Sequence, residues 1–217
     1  MLLQAERESI VEFGKRISSS GLTKGTSGNL SIFDLDTRLM AIGPSGIGYY
    51  ETRPEDVVIM NLEGDIVDGD KKPSSEYVLH ATFYRKRPGV CAIVHTHSTY
   101  ATTFASMRVP IKAVHYVIGT SGSATVPCAE YATYGTPELA ENALRAMGDA
   151  KAVLLANHGL VTVGPTLAEA FSLAENAEFV AEIYYRTLAA GSPFILSDEE
   201  MDRVIGKFKT YGQPKKE

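Results

Sequence analysis

Two cysteines and the lack of long apolar runs limit the kinds of protein that this sequence can encode. Cys91 and Cys128 are the only cysteines in 217 residues, which excludes a disulfide framework and suits a reducing compartment. The longest apolar runs, near residues 90–94 and 152–156, are far too short to span a bilayer. Charged residues begin at Glu6, too early for a signal peptide. We therefore expect a cytoplasmic protein that has no membrane partner.

Basic residues are too few and too scattered to form a nucleic-acid interface. The chain has 21 Lys and Arg against 26 Asp and Glu, so its formal net charge is -5 at pH 7. Without a basic patch, little attracts the chain to a phosphate backbone, and we expect no nucleic-acid partner. Apolar residues make up 44% and charged residues 22%, values typical of a globular protein. The length predicts one domain over residues 1–217.

Helical and strand patterns follow one another without strict alternation, which predicts an α/β domain with a mostly antiparallel central sheet flanked by helices. Helical spacing and capping residues predict helices over 2–19, 74–87, 136–147, 166–190 and 197–208. Apolar runs and turn residues predict strands near 30–33, 38–42, 57–62, 66–67, 90–95, 113–118, 124–126 and 151–156, the last continued by 160–163.

Histidines at the ends of two apolar strands are the strongest candidate ligands. His95 and His97 are two residues apart, so on a strand their side chains face the same side. His158 follows the second strand, next to Gly159, which permits a close approach of backbone or ligand. Three imidazoles can hold a metal ion and leave one coordination position open for a substrate. The alternative is a set of hydrogen-bonded structural histidines, and the third imidazole favours the metal site.

The other two histidines have weaker claims to a functional role. His80 falls within a predicted helix, where a hydrogen-bonded structural histidine is the more common case. His115 is adjacent to Tyr116 on a predicted strand, so we expect the two side chains to point to opposite faces. At most one of them can then face a given site.

Two hydroxyl-rich segments could bind an anion. Ser74 and Ser75 precede Glu76 at the head of a predicted helix, where free backbone N–H groups attract negative charge. An earlier glycine-rich loop carries Thr26 and Asn29 as side-chain donors, but it lacks the Gly-Lys-Ser/Thr ending of a nucleotide-binding loop. With three histidines and one glutamate, these segments predict a hydrolase or a lyase acting on a small phosphorylated molecule.

Short blocks along nearly the whole chain resemble those of one family. The blocks include Lys24-Gly-Thr-Ser-Gly-Asn29, Pro44-Ser-Gly46, Lys72-Pro-Ser-Ser-Glu76, Val94-His-Thr-His97, Val114-His-Tyr116, Asn157-His-Gly-Leu160 and Lys207-Phe-Lys-Thr-Tyr-Gly212. The Ser-Ser-Glu and His-x-His blocks, in this order and separation, are specific for the class II aldolase/adducin family. The chain resembles that family, and its last block is typical of the fuculose-phosphate aldolase branch.

The resemblance implies a role for each candidate residue. His95, His97 and His158 would hold one Zn²⁺ per subunit, a Lewis acid for the enediolate left after cleavage of a ketose phosphate. Glu76 would be the general acid/base at the carbon next to the carbonyl. The substrate phosphate would be bound by Thr26, Gly28, Asn29, Ser45, Gly46, Ser74 and Ser75.

The resemblance also implies a homotetramer with active sites between subunits. Tyr116 would reach the site of a neighbouring subunit and protonate the aldehyde-derived oxygen. Tyr211, on a flexible tail from about residue 209, would close over the site. The implied reaction is the reversible cleavage of L-fuculose 1-phosphate to dihydroxyacetone phosphate and L-lactaldehyde. The chain departs from the branch at two positions. Ser27 stands where the branch has alanine, and we expect the added hydroxyl to leave the phosphate cradle intact. Tyr134 stands where the branch has phenylalanine near the aldehyde end, which weakens the choice of sugar.

Three alternatives stay open. Aldolases for 5-deoxyribulose 1-phosphate or its methylthio analogue share the metal, the base and the phosphate site. L-Ribulose-5-phosphate 4-epimerase uses the same bond cleavage but usually carries aspartate where this chain has Glu76. An adducin-like head would be a binding module without chemistry, and it lacks the metal histidines that this chain keeps.

Overall fold

The computed structural model describes residues 1–212, and residues 213–217 at the end of the predicted tail lie outside the described part. Six α-helices span Gln4–Ser19 (α1), Tyr77–Lys86 (α2), Thr99–Met107 (α3), Pro137–Met147 (α4), Leu167–Ala190 (α5) and Asp198–Phe208 (α6). Ten strands span Asn29–Asp34 (β1), Leu39–Ile42 (β2), Val58–Met60 (β3), Ile66–Asp68 (β4), Ala92–Thr96 (β5), Ile111–Lys112 (β6), Thr125–Val126 (β7), Cys128–Ala129 (β8), Ala152–Leu155 (β9) and Gly159–Gly164 (β10). Among residues 1–212, no helix is long and apolar enough to cross a membrane.

Eight strands form one sheet in the order β4-β3-β2-β1-β5-β10-β9-β8. Neighbouring strands are antiparallel except for β8 and β9, which run parallel. The remaining two strands, β6 and β7, form a separate two-stranded ribbon. The predicted fold class, an α/β domain with a mostly antiparallel sheet flanked by helices, is confirmed.

Helices cover both faces of the sheet. Its central strand, β5, is apolar on both sides, as expected for a strand that is buried on both faces. Ala92 and Val94 belong to the core that includes side chains from α1, α3 and α5, whereas Ile93 packs in a second core with α2 and α4. His95 lies two residues after Ile93, so its side chain emerges on the face that α2 covers. The strand pattern thereby directs a buried histidine toward the start of α2.

The chain reverses after β9, so residues 160–163 do not continue that strand as predicted. Asn157 adopts a left-handed conformation, with φ of 53°, and β10 returns antiparallel to β9. β10 also pairs with β5, where Val161 lies opposite His95. His158 lies in the tight turn between β9 and β10. Because β10 also pairs with β5, this turn is held beside the end of β5.

The predicted strand over residues 113–118 is wrong. After β6 the chain forms a 3₁₀ helix over Tyr116–Ser121, and the Nδ1 atom of His115 accepts a hydrogen bond from the N–H of Val117 at 3.4 Å. The β-branched residues of this segment favour a strand, but the capping contact and the burial of Ile118 favour the turn. The rings of His115 and Tyr116 lie with centroids 4.8 Å apart, so these side chains do not point to opposite faces.

Helix α3 was not predicted because its threonines and small residues give a weak helical pattern. Its first turn is capped from a distance: the carboxylate of Glu178, on α5, accepts hydrogen bonds from the N–H groups of Tyr100 and Ala101, each at 2.8 Å. A carboxylate at a helix N-terminus satisfies donors that have no partner within the helix. Tertiary structure therefore supplies the start signal that the local sequence lacks.

Candidate active site

Three histidines converge where β5 ends beside the β9–β10 turn. The candidate ligand atoms of His95, His97 and His158 all lie within 4.8 Å of one another. His95 is fully buried, whereas the side chain of His158 is 14% exposed and His97 is partly buried. The cluster is therefore closed on the side of the sheet and open on the side of the other two rings.

The ring nitrogens of this cluster are arranged to receive a cation. Nδ1 of His95 donates to the carbonyl oxygen of Leu160 at 3.0 Å, so Nε2 is the nitrogen that faces the cluster and can take either a proton or a metal ion. Nε2 of His97 lies 3.0 Å from that atom. Two ring nitrogens at this distance hold either a proton or a metal ion between them, because two facing lone pairs would repel each other. Burial and the neighbouring His95 charge lower the pKa of His97 and of His158 to about 4, so both are neutral at neutral pH.

Glu76, immediately before α2, supplies a carboxylate to the same cluster. Its Oε2 atom lies 3.2 Å from Nε2 of His95, and its Oε1 atom lies 3.5 Å from Nε2 of His158. Burial opposes ionisation of this carboxyl, but the charge on His95 outweighs it and holds the pKa of Glu76 well below its usual range. Conversely, burial disfavours the charged His95 ring, and the Glu76 carboxylate raises the pKa of His95 in spite of it.

One carboxylate oxygen at this site has an ion-pair contact with His158 but no hydrogen-bond partner among the described residues. Oε1 of Glu76 is buried and accepts no hydrogen bond from the part of the chain that is described. An unpaired buried carboxylate oxygen is costly, and it is tolerated where a ligand or an ion supplies the missing interaction. Three imidazoles with converging lone pairs and one orphaned carboxylate oxygen fit a divalent metal such as Zn²⁺ with an open coordination position.

The candidate anion-binding residues lie beside Glu76 on adjacent segments. Thr26, Gly28 and Asn29 line a cavity between the glycine-rich loop and α1, whose remaining lining is mostly apolar. Gly28 adopts a left-handed backbone conformation, with φ of 76°, which favours glycine. A Cβ atom at this position would lie 2.6 Å from the carbonyl oxygen of His95. This glycine therefore lets the loop approach the histidine strand closely.

The loop after β2 is tied to the segment that leads into α2. The N–H of Ser74 donates to the carbonyl of Gly43 at 3.0 Å, and the N–H of Ser45 donates to the carbonyl of Lys72 at 2.8 Å. Ser75 and Gly46 are exposed beside these bonds. The serines do not cap α2 as the sequence predicts; the hydroxyl of Ser74 instead accepts from the N–H of Glu76 at 3.3 Å.

The two departures from the fuculose-phosphate pattern lie at different distances from this chemistry. The Ser27 hydroxyl donates to the carbonyl of Lys24 at 2.6 Å, so it is satisfied within its own loop. Tyr134 is 65% exposed. Its neighbour Gly135 approaches Ser75 so closely that a Cβ atom would lie 2.9 Å from the Ser75 carbonyl oxygen. Tyr134 therefore lies on a loop that borders the candidate anion site.

Tyr116 and Tyr211 lie in an aromatic cluster separate from the histidines. The Tyr116 ring is stacked on Phe208 with centroids 6.1 Å apart, and Tyr211 contacts the same Phe208 ring at 6.1 Å. Tyr116 is 51% exposed and Tyr211 is 84% exposed. Among residues 1–212, the rings of Tyr116 and Tyr211 both contact Phe208, and Tyr116 also contacts His115. Neither ring contacts the three-histidine cluster.

We predict that Gly159→Ala lowers both stability and metal binding. A Cβ atom at this position would lie 2.3 Å from the carbonyl oxygen of Thr96 and 3.0 Å from the His97 ring, so β10 or the ligands must shift. Overpacking of this kind costs about 1–3 kcal/mol in the free energy of unfolding. Urea unfolding of metal-free protein and metal titration by calorimetry measure the two effects.

Gly206→Ala is the matched control for this prediction. Gly206 lies inside α6, and nothing would come within 4 Å of an added Cβ atom. Alanine favours the helix over glycine by about 0.5–1 kcal/mol, so this variant should gain slightly in stability and bind metal as before. A Gly159→Ala protein with unchanged unfolding and metal affinity would contradict the close approach of β10 to the cluster.

Comparisons with known proteins bear on the whole chain. The family model described as Class II Aldolase and Adducin N-terminal domain matches residues 8–185. The chain is 53% identical to the 5-deoxy-D-ribulose 1-phosphate aldolase of Bacillus thuringiensis serovar kurstaki over 213 residues, which cover 98% of this chain and 100% of the relative. It is 43% identical to the 5-methylthioribulose-1-phosphate/5-deoxyribulose-1-phosphate aldolase of Rhodospirillum rubrum, over 96% of this chain and 93% of the relative.

Solved structures agree with the sequence comparisons. A structure of an L-fuculose 1-phosphate aldolase superimposes with a TM-score of 0.92 at 45% sequence identity. The match covers 94% of this chain and 96% of that chain. The eight-stranded sheet and its helices therefore have a counterpart of nearly equal length.

Proposed function

Because the chain belongs to the class II aldolase and adducin N-terminal domain family and is an enzyme of the class II aldolase type, we propose that it catalyses the zinc-dependent, reversible retro-aldol cleavage of a ketose 1-phosphate. The observation that carries the proposal is the orphaned Oε1 atom of Glu76 facing three converging imidazoles. Glu76 lies against two of the three histidines and accepts a hydrogen bond from Asn29, so the base, the candidate metal ligands and one candidate phosphate donor adjoin one another. Retro-aldol cleavage of a phosphorylated ketose needs these three parts.

His95, His97 and His158 would hold one Zn²⁺ per subunit, and the ion when bound supplies a Lewis acid for the negative charge that develops on the ketose oxygens. The hydrogen bond from Nδ1 of His95 to Leu160 orients that ring and fixes which nitrogen is free. The partial exposure of His97 and His158 leaves substrate a path to the site.

Glu76 would move the proton at C3, the carbon next to the ketose carbonyl. In condensation the ionised Glu76 removes a proton from C3, the C3–C4 bond forms, and the aldehyde-derived oxygen gains a proton, for which Tyr116 is the proposed donor. In cleavage each transfer is reversed: the C4 hydroxyl returns its proton to Tyr116, the C3–C4 bond breaks, and Glu76 returns its proton to C3. One proton leaves C4 oxygen and one arrives at C3, so the reaction needs no oxidant or other co-reactant. Burial beside the histidines keeps water away from this carboxylate.

Backbone and hydroxyl donors would hold the phosphate. We propose that these donors come from the residues that the family resemblance indicates, namely Thr26, Gly28, Asn29, Ser45, Gly46, Ser74 and Ser75. The backbone bonds between the loops at Gly43 and Ser74 support a shared cradle, because they keep two of the three segments together. Binding the phosphate would fix C3 relative to Glu76.

Tyr116 and Tyr211 would act at subunit boundaries. We propose a homotetramer in which Tyr116 protonates the aldehyde-derived oxygen in a neighbouring site and Tyr211 closes over the site. Both side chains are exposed, and neither ring contacts the histidine cluster of its own chain. These two observations support a role in the active site of a second copy. The cytoplasmic location likewise stays a prediction from the sequence.

Two ketose 1-phosphates are the leading substrates. We place 5-deoxy-D-ribulose 1-phosphate first, because the relative named for its aldolase shares 53% of the aligned residues. L-Fuculose 1-phosphate, expected first from the sequence blocks, comes second, because the structure named for its aldolase shares 45%. Both yield dihydroxyacetone phosphate and differ in the aldehyde, acetaldehyde or L-lactaldehyde. The loop of Tyr134 borders the site, and we propose that it distinguishes the two aldehydes.

A substrate panel tests the proposal. We expect zinc-loaded protein to release dihydroxyacetone phosphate from 5-deoxyribulose, methylthioribulose and L-fuculose 1-phosphates, with the highest kcat/KM for the first. The unphosphorylated sugars should lose about 10–10²-fold in kcat/KM for each charge-assisted hydrogen bond that is absent, at about 1.5–3 kcal/mol per bond. A coupled dehydrogenase assay measures release. Failure of every ketose 1-phosphate to be cleaved would refute the proposal, and conversion of L-ribulose 5-phosphate to its C4 epimer would favour the 4-epimerase instead.

A further inference from the structure

A buried line of polar side chains leads from the interior to Glu76. The Tyr84 hydroxyl lies 2.6 Å from the Ser31 hydroxyl, which lies 2.5 Å from Nδ1 of His80. Nε2 of His80 lies 2.5 Å from Oδ1 of Asn29, and Nδ2 of Asn29 lies 2.9 Å from Oε2 of Glu76. His80 and Ser31 are completely buried, and the other three residues are at most 7% exposed. No residue of this line except Asn29 and Glu76 has a role in the proposed function.

Two ordinary periodicities create this line. Asn29 and Ser31 are two residues apart on β1, so they face the same side of the sheet. His80 and Tyr84 are four residues apart on α2, so they lie on one helix face. When α2 packs on β1, four polar side chains meet inside an otherwise apolar core. Buried polar groups are costly unless all are satisfied, so their presence calls for an explanation.

The hydrogen-bonding roles along the line follow from its two ends. The Glu76 carboxylate only accepts, so the Asn29 amide must turn Nδ2–H toward it and Oδ1 toward His80. Oδ1 only accepts, so His80 carries its proton on Nε2. Burial lowers the pKa of His80 to about 3, so the ring is neutral and Nδ1 accepts from the Ser31 hydroxyl. The Ser31 oxygen then accepts from Tyr84, whose protonated form is favoured by burial, which raises its pKa.

The two carboxylate oxygens of Glu76 have different partners. Oε2 accepts from Asn29 and lies beside His95, whereas Oε1 has no hydrogen-bond partner in the described part of the chain and faces His158. If the Asn29 amide rotated by half a turn, its Oδ1 would face Oε2 and repel it. The Nε2–H of His80 opposes that rotation, because Oδ1 would lose its donor.

On the basis of the proposed function, we infer that His80 is a positioning residue for Glu76: through Asn29 it fixes Oε2 and leaves Oε1 as the oxygen that exchanges the substrate proton. Asn29 also belongs to the proposed phosphate cradle, and its second Nδ2 hydrogen is not needed by Glu76. His80 thereby holds one amide in the orientation that serves both the phosphate and the base.

Two variants of His80 separate positioning from general support of the core. His80→Gln can place a donor where Nε2–H stands, whereas His80→Asn reaches only the Nδ1 position, toward Ser31, and leaves Asn29 without its donor. We expect His80→Asn to lower kcat by about 10–10²-fold, since small misplacements of a catalytic group have effects of this size. We expect His80→Gln to regain most of that loss. Zinc content should stay near the wild-type value in both variants, and KM for the ketose 1-phosphate should rise only in His80→Asn, because Asn29 also belongs to the proposed phosphate cradle.

A double mutant and a packing control complete the kinetic test. In an Asn29→Ala background, His80→Asn should cause no further loss of kcat, because the intermediary is already absent. Leu79→Ala, buried on the same helix at 1% exposure, should lower the unfolding temperature while kcat at low temperature stays unchanged. The inference is overturned if His80→Asn and Asn29→Ala multiply independently, or if His80→Gln is as slow as His80→Asn.

A measurement without substrate tests His80 independently of the proposed function. Nitrogen-15 NMR of histidine-labelled protein, with the His80 signals identified by their loss in His80→Gln, should show a neutral ring protonated on Nε2. A ring protonated on Nδ1, or on both nitrogens, would overturn the inference even if the aldolase activity is found. Conversely, failure of the substrate panel would refute the proposed function and leave this result to decide the role of His80.

Discussion

Replacing Glu76 with glutamine is expected to leave the metal in place and to lower kcat for ketose 1-phosphate cleavage by about 10²–10⁴-fold, the usual contribution of general acid/base catalysis. Glutamine has nearly the same shape, and its side-chain oxygen can still accept from Nδ2 of Asn29. It cannot take or return a proton. Steady-state kinetics with zinc analysis on the same sample measure both expectations.

The design separates loss of the base from loss of the site. Glu76 carries negative charge beside His95, so the glutamine variant should bind metal somewhat more weakly, and kinetics should be measured with saturating zinc. Glu138→Gln, an exposed glutamate in the first turn of α4, serves as the matched control and should retain wild-type kcat. Unchanged turnover of the Glu76 variant at full zinc occupancy would remove Glu76 from the mechanism.

Removing the divalent metal is expected to lower the cleavage activity by a factor comparable to that of the Glu76 substitution. A metal Lewis acid contributes several kcal/mol of transition-state stabilisation, so chelated protein should lose about 10²–10⁴-fold in kcat/KM. His158→Ala should do the same by deleting the ligand at the open edge of the cluster, where the side chain is 14% exposed and the core is least disturbed. Metal analysis, kinetics and thermal unfolding report the result.

Restoration provides the control for metal removal. Adding Zn²⁺ back to the chelated wild type should recover the activity and raise the unfolding temperature, because a ligand that binds the folded state stabilises it. The same addition should not rescue His158→Ala at equal zinc concentration. Full activity in metal-free protein, or normal metal content in His158→Ala, would refute the assignment of the cluster.

Several features of the fold and site were accessible from local patterns. β5 was predicted from its apolar run, and the spacing of His95 and His97 indicated that both rings would face one side. α5 was predicted from its capping pattern, and the Thr166 hydroxyl accepts from the N–H of Glu169 at 3.2 Å. The family blocks indicated the class II aldolase fold, which the comparisons confirm. These features depend on residues close together in the sequence.

Other features failed because their causes lie far away in the sequence. The strand expected over residues 113–118 gave way to a 3₁₀ helix, since burial of Ile118 and a His115 cap outweighed β propensity. Helix α3 begins where Glu178, on another helix, satisfies its first N–H groups. His80 was assigned a structural role because no local pattern reveals that α2 will place it behind Asn29.

The sequence by itself determined which residue types were present and which faces they share: two histidines on one strand face, a glutamate at a helix start, and donors in glycine-rich loops. Periodicity fixes such relations because side-chain direction repeats every two residues in a strand and every 3.6 in a helix. The predicted third ligand, His158, lies beside the pair only because of the tertiary structure, and only that structure shows that one oxygen of Glu76 lacks a hydrogen bond and that His80 reaches Glu76 through Asn29. Those relations depend on which strands pair and how α2 packs on β1, and long-range packing energies set them.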